Sequence, residues 1–587
     1  MHKPDLRTRF LTIVAQDPAI RSGNGKILTA EVSVPAEELA PGPRGYRVHV
    51  VDFDTSVHTF YKPRKYQSTR NGRYQDPYKN PSNGTILEDP RFHAQNAYAI
   101  IMRTLARFEF ALGRRISWSF SGHQLKVSPH AFADANAFYS KQHEALVFGY
   151  FQGKKGTIFS SLSHDVIAHE TTHALLDGLR ERYIDPSSPD QGGFHEGFAD
   201  IVALLSVFSI REVVTTLLDW GIQRRRDRSR PKSGHQGLIN KKDVTLKALR
   251  KSALLGMAEE MGKELGQVRG RGALRQSVSL SPSLTYYMKE EEFTEPHRRG
   301  EILVAAMLNA FLEVWCKRLE QLRSVKVARH KGEEFLDRQR VADEGSEVAD
   351  YLLTMAVRAI DYTPPVHLEF GDYLSALLTA DHEIRPNDSK YGFREHLKAS
   401  FAAYGIVPAS PGEAGQWEPP DHKLSYERTH YENMSRDPDE VFRFAWENRK
   451  ALRLYEDSYS RILSVRPCIR IGPDDGFPLR ETVAECLQQV EVRASELAAL
   501  RIPKPARMPG NAWVRLQGGL TLIFNEYGHL KFSIRNRIDD PKRQGKRLRY
   551  LWDSGYFTDR QFAQSQGFHA MHRLRALGTS MRTQEEW

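Results

Sequence analysis

The stretch Ser163–Asp200 reads SHDVIAHETTHALLDGLRERYIDPSSPDQGGFHEGFAD, and its two polar clusters decide how the rest of the chain is read. The first, His169-Glu170-Thr171-Thr172-His173, sits among Val166, Ile167, Leu175 and Leu176 at helical spacing. On a helix of 3.6 residues per turn, His169 and His173 lie one turn apart on one face, where both can hold a single metal ion. Glu170 is rotated by about 100° from His169, off the ligand line but within reach of a water beside the ion. The second cluster, Glu196-Gly197-Phe198-Ala199-Asp200, sets another carboxylate pair four residues apart. One of the two can complete the metal group, and the other can receive the free ring N–H of a histidine ligand. The spacing predicts a first helix from Ser163 or His164 to Leu179. A second is predicted to begin after Gly192-Gly193 and to continue through EGFADIVALLSVF.

Upstream, Tyr46, Val48 and Val50 alternate with polar residues, and Val57–Tyr61 offers a second short strand, so residues 1–85 read as β-rich. QSTRNGRYQDPYKNPSNG then reads as a loop. Asp89-Pro90 opens a helix with Tyr98, Ile101, Met102, Leu105, Phe108 and Leu112 on one stripe and Gly113 at its end. Leu125–Val127 and Asp134–Tyr150 read as strands. Within them, Asn136-Ala137-Phe138-Tyr139 is a candidate edge strand able to hold an extended peptide by strand addition. Downstream, helices are predicted for Leu246–Leu265, for GEILVAAMLNAFLEVWCKRLEQL after His297, and for Ala349–Ile360, Gly371–Leu378 and Arg394–Tyr404. The segment from Leu322 to Glu347 reads as a charged connection. Past a Pro/Gly-bearing break at Pro408–Pro420, Pro438–Ser464 and Leu479–Leu500 read as helical, and Gly519–Ile534 as a hairpin around Glu526-Tyr527-Gly528.

Two imidazoles and one carboxylate leave a zinc ion a residual positive charge and an open position, the donor set of a hydrolase that activates water. The expected cofactor is one Zn2+ per chain. The three cysteines (Cys316, Cys468, Cys486) form no CxxC pair, so they are not expected to ligate it. Their odd number and wide spacing argue for a reducing compartment, and the chain shows no run of about 18 apolar residues and no secretory signal. A cytoplasmic protein that contacts no membrane is the expectation. The formal net charge is +11, and Arg501–Trp587 alone holds 16 Lys/Arg against 7 Asp/Glu, a net of +9. Such a tail can engage nucleic acid or an acidic partner, or be a solvated basic face.

At these residues the sequence resembles the gluzincins, and within them the thermolysin-like neutral metalloproteinases. DVIAHETTHAL resembles the family's DVVAHELTHAV, and HEGFADI its NEAISDI. ANAFYSKQHEALVFGY resembles the NAFW strand and hairpin. ALRQS resembles the ALRSM-type segment, PHRRGEILVAAMLNAF the VHINSGIINKAAY-type helix start, and FREHLKASFAAYGI the terminal helix ending in AFDAVGV. The matches run in the family's order from about Asp89 to Val407.

The resemblance implies an α+β fold with a β-containing N-terminal lobe and a helical C-terminal lobe, plus terminal extensions. It implies His169, His173 and Glu196 as zinc ligands, Glu170 as general base and Asp200 as acceptor of the His169 N–H. It further implies His297 as donor to the oxyanion, with Tyr183, one residue off the family spacing, as a helper. Glu292 or Glu295 would orient His297. Asn136 and Ala137 would hold substrate backbone, Arg275 a substrate carbonyl, and Val166 and Leu274 would line an apolar pocket for the residue after the scissile bond. The family's double calcium site needs an acid where this chain has Val207, so that site is expected to be absent. No GAMEN-like segment is present to anchor a free amino terminus, which weighs against aminopeptidase action. The expected units are residues 1–85, a metalloprotease unit over 86–407, and a basic α+β extension over 408–587. The expected activity is zinc-dependent endopeptidase cleavage. The alternative is an inactive metalloprotease-like protein binding nucleic acid or an acidic partner through its extension.

Overall fold

Asp89 caps the long N-terminal helix by accepting the Arg91 N–H, Pro90 takes the first helical position, and Gly113 closes it in the left-handed region with φ 66°. The computed structural model describes residues 8–22, 24–66, 74–153, 156–226, 237–249, 277, 280–284, 287, 290–322, 328–330, 333–389, 391–473 and 476–557. Helix accounts for 42% and strand for 23%, divided among several small sheets, so the fold class is α+β. No single helix among the described residues is long and apolar enough to cross a membrane.

The N-terminal half contains β1 (Thr8–Val14), β2 (Thr29–Pro35), β3 (Val48–Val50), β4 (Phe53–Asp54), β5 (Thr59–Phe60), α1 (Asn83–Glu88) and α2 (Pro90–Leu112). After them come β6 (Leu125–Phe132), β7 (Ala137–Ser140), β8 (Ala145–Gly153) and β9 (Gly156–Phe159). The main sheet has the order β3-β6-β8-β7, with β9 paired to the far end of β8. The β3–β6 and β6–β8 pairs are parallel, and β7 runs antiparallel to β8 with Ala137 opposite Phe148. β7 therefore forms the sheet's edge. Its buried face carries Ala137 and Tyr139.

The helical half contains α3 (His164–Leu179), α4 (Pro189–Phe208), α5 (Arg211–Arg226), β10 (Leu238–Asn240) and α6 (Leu246–Leu249). It continues with α7 (Pro296–Leu322), β11 (Ala328–His330), β12 (Glu333–Asp337), α8 (Arg338–Arg358), α9 (Phe370–Ile384) and α10 (Phe393–Ala403). α4 is buried on nearly every side and packs against α3, α7 and α8. The expected charged connection before Glu347 is corrected. It contains β11 and β12, and α8 already starts at Arg338 because the Asp337 side chain caps it at Arg340 N. Of the helix expected over Leu246–Leu265, Leu246–Leu249 is described as α6, and residues 250–265 lie outside the described residues.

The C-terminal part is built from α11 (Tyr431–Met434), α12 (Pro438–Glu447), β13 (Tyr459–Ile471), β14 (Pro478–Arg493), β15 (Trp513–Asn525), β16 (Leu530–Asn536) and α13 (Pro541–Asp553). β13 to β16 form one antiparallel sheet in chain order. Two expected helices are overturned here: Leu479–Leu500 is mostly β14, and the helix expected to Ser464 ends at Glu447, with β13 following. β14 is a central strand covered on both faces. Val483 joins the main core and Ala484 and Cys486 a second one, which erases the alternation that marks a half-buried strand.

The main core runs from Leu11 in β1 to Ile534 in β16, so the sheet is continuous with the helical half. Arg470 of β13 pairs with Asp361 at 2.5 Å and with Glu481, and Asp361 also receives both Nη atoms of Arg114. Arg466 Nη1 donates to the carbonyl of Leu179, the last residue of α3, at 2.9 Å. Next to it, Arg180 pairs with Glu485 at 2.5 Å. The sheet thus supplies a cation to the C-terminal end of α3, where the helix dipole favours one. Several cations of the extension are turned inward in the same way: Arg543 binds Asp372, Lys531 binds Glu481, and Arg547 Nη1 donates to the Arg515 carbonyl.

Candidate metal centre

His169 and His173 project from one face of α3 with their Nε2 atoms 2.9 Å apart. Glu196 on α4 brings Oε2 to 3.5 Å from the first and 3.7 Å from the second. Ligands at about 2.0–2.1 Å from a tetrahedral zinc ion stand about 3.3–3.4 Å from one another, so these separations and this donor set fit zinc. Among the described residues, these three form the compact group able to hold an ion. His173 and Glu196 are buried, and His169 keeps an exposed edge.

Each imidazole is held from behind. Asp200 Oδ1 lies 2.8 Å from His169 Nδ1, which in the neutral ring places the proton on Nδ1 and leaves Nε2 as a lone-pair donor. His173 Nδ1 lies 2.8 Å from Nδ1 of His195, whose Nε2 is 3.2 Å from Asp177 Oδ1. The spacing of HEGFAD marks its two acids and gives no role to His195 or Asp177. The signal was present, since His195 adjoins a ligand and Asp177 lies four residues past another.

Burial lowers the proton affinity of His169, but Asp200 and Glu196 outweigh it and hold the pKa of the metal-free ring up at about 10. A ligand must be unprotonated, so an ion has to displace this proton at neutral pH. Zinc affinity is expected to rise about tenfold per pH unit between about pH 6 and pH 9, with about one proton released. Calorimetric titration in buffers of different ionisation enthalpy measures this, and an affinity flat over that range would contradict it.

Glu170, next in sequence to His169, is buried and accepts the Tyr139 backbone N–H at 3.1 Å. That bond ties the edge strand β7 to α3. On β7's approach, Asn136 is buried, its Oδ1 accepts the Ala137 N–H, and its Nδ2 has no hydrogen-bond partner among the described residues.

His297 enters from the first turn of α7, with Nε2 3.6 Å from Glu196 Oε2 and Nδ1 2.9 Å from Glu295 Oε1. The choice between the two acids is thereby resolved. Glu292 is mostly exposed and pairs with Arg298 at 2.7 Å, and Glu295 is the carboxylate that faces His297. Burial opposes a proton on His297, but Glu196 and Glu295 prevail and raise its pKa to about 9 in the metal-free site.

Glycines bring α7 this close. α4 begins at Pro189, capped by Ser188, so Gly192-Gly193 lie inside the helix rather than before it. A Cβ at Gly197 would sit 2.8 Å from the Gly300 carbonyl, and one at Gly300 would sit 2.8 Å from the Gly197 nitrogen and 2.9 Å from the Gly193 carbonyl. These obstacles are backbone and cannot swing aside. Gly300→Ala is expected to cost about 1–3 kcal/mol, seen as a lower unfolding midpoint, and to carry His297 away from Glu196. An unchanged midpoint would contradict this account of the crossing.

Tyr183 is corrected: its hydroxyl lies 2.7 Å from both Thr363 Oγ1 and the Pro364 carbonyl, buried and committed there rather than offered to an oxyanion. Val166 and Ala137 are buried in the main core, as is Val207. Leu274 and Arg275 lie outside the described residues. No protein-family model matches the chain, and no curated protein matches it.

Proposed function

We propose that this protein is a zinc-dependent endopeptidase of thermolysin-like design. The observation that carries the reading is the convergence of His169 Nε2, His173 Nε2 and Glu196 Oε2 at zinc-ligand separations, with Glu170 beside them and bonded to an edge strand. Bound zinc would supply Lewis acidity, polarising a peptide carbonyl and lowering the pKa of water toward 7. His169, His173 and Glu196 would hold it.

The remaining chemistry belongs to side chains of this chain. Glu170 accepts a proton from the attacking water and returns it to the leaving amine. His297, whose Nδ1 is paired with Glu295, donates from Nε2 to the oxygen on which negative charge develops. The edge of β7 would align an extended backbone by strand addition through its carbonyls, since the Ala137 and Tyr139 N–H groups are already held by Asn136 Oδ1 and Glu170. The binding alternative rests on the exposed Lys542, Lys546 and Arg549 of α13, whereas Arg543, Lys531 and Arg547 are paired inward.

The test is metal content together with a cleavage profile. The purified full chain is expected to hold one zinc and to cut a peptide library before Leu, Phe or Ile. Bound zinc with no cleavage of any peptide would refute the endopeptidase reading, and cuts beside charged residues would refute the apolar pocket.

A further inference from the structure

The two imidazoles of α3 are backed by different hydrogen-bonded chains. His169 reaches a carboxylate directly at Asp200, whereas His173 reaches one, Asp177, through the ring of His195. The rings of His173 and His195 lie within 22° of parallel with centroids 4.8 Å apart. Combined with a 2.8 Å Nδ1–Nδ1 separation, that is an edge-to-edge hydrogen bond rather than a face-to-face stack.

The protons of this chain have one arrangement once His173 offers Nε2 to an ion. His173 then carries its proton on Nδ1 and donates it, so His195 Nδ1 must accept. A neutral His195 then bears its proton on Nε2, which faces Asp177 Oδ1, an acceptor when the carboxyl is ionised. His195 and Asp177 are both buried, so water does not compete for these bonds. The resembled family segment NEAISDI has asparagine where this chain has His195. An asparagine carbonyl would accept the His173 proton and end the chain at a neutral amide; histidine passes the contact on to a carboxylate.

Resting on the metal-centre reading above, we propose that His195 is a positioning residue for His173, anchored by Asp177, so that both histidine ligands are backed by a carboxylate. The pair fixes the tautomer and ring orientation of His173 and raises the basicity of its Nε2.

Zinc affinity of the full chain, measured by competition with a chromophoric chelator, tests this alongside the unfolding midpoint of the metal-free protein. His195→Phe keeps a planar ring but no acceptor, and is expected to lose about 10–100-fold in affinity, with a lower metal-free midpoint because the buried Asp177 loses its imidazole partner. His195→Asn restores an acceptor without the carboxylate contact and is expected to recover the loss only to about the level of Asp177→Asn. Asp177→Asn is expected to lose about tenfold. If His195→Phe binds zinc within twofold of wild type, the proposal is overturned while the metal centre stands. Should that variant fail to fold, Asp177→Asn decides, and unchanged affinity there overturns the anchor. A wild-type chain that binds zinc no better than His169→Ala overturns the metal centre itself, and the proposal with it.

Discussion

Glu170→Gln is expected to keep its zinc and to lose about 10²–10⁴-fold in kcat/KM on a peptide substrate. The substitution removes a base and little else. Glutamine has the same length, and its carbonyl can still accept the Tyr139 N–H that now holds Oε2 at 3.1 Å. The ligand atoms belong to His169, His173 and Glu196, so the metal group is left intact. Metal content by mass spectrometry and cleavage of a quenched fluorescent peptide, run on the same preparation, separate the two effects. A variant that holds zinc and cleaves within tenfold of wild type would remove Glu170 from proton transfer. One that loses zinc would place Glu170 among the groups shaping the metal site.

Asp361→Ala is expected to destabilise the folded chain by about 3–5 kcal/mol, the cost of leaving buried charges uncompensated. Asp361 is fully buried between Arg114 and Arg470, and its removal leaves two guanidinium groups facing each other. Unfolding in urea measures the loss, and a change below about 1 kcal/mol would show that Glu481 and Tyr362 suffice to hold Arg470. The pH dependence has a definite sign. Burial alone would raise the pKa of Asp361, but Arg114 and Arg470 hold it well below the usual carboxylate range. A carboxyl depressed in the folded state contributes stability above its unfolded value of about 4 and loses that contribution as pH falls toward its folded value. The wild type is therefore expected to lose more stability than Asp361→Ala on acidification below about pH 4, narrowing the gap between them.

Local rules carried the reading well where the structure is local. Asp89-Pro90 and Gly113 mark the ends of α2 because capping depends on adjacent residues. The ligand pair at 169 and 173 follows from helix pitch alone, and α3 spans His164–Leu179 as the apolar spacing indicates. Non-local effects were hidden. Leu479–Leu500, rich in helix formers such as Glu, Ala and Leu, becomes mostly β14 because β13 and β15 bond to both its edges. Gly192-Gly193 resembled a helix start, but position 193 is glycine because its Cβ would run into Arg299 of α7.

By itself the sequence determined the histidine pair able to hold a metal ion, its spacing on α3, and the second carboxylate pair on the next helix, since all three follow from residues within a few turns of one another. Only the tertiary structure decided which groups stand behind and beside it. His195 and Asp177 line up because α3 and α4 pack face to face, 18 residues apart in sequence. Glu295 rather than Glu292 reaches His297, and Tyr183 turns away toward Thr363 and Pro364. A hydrogen bond needs its partner within about 3 Å and in line, and for residues on separate elements that depends on helix crossings and sheet docking rather than on spacing along the chain.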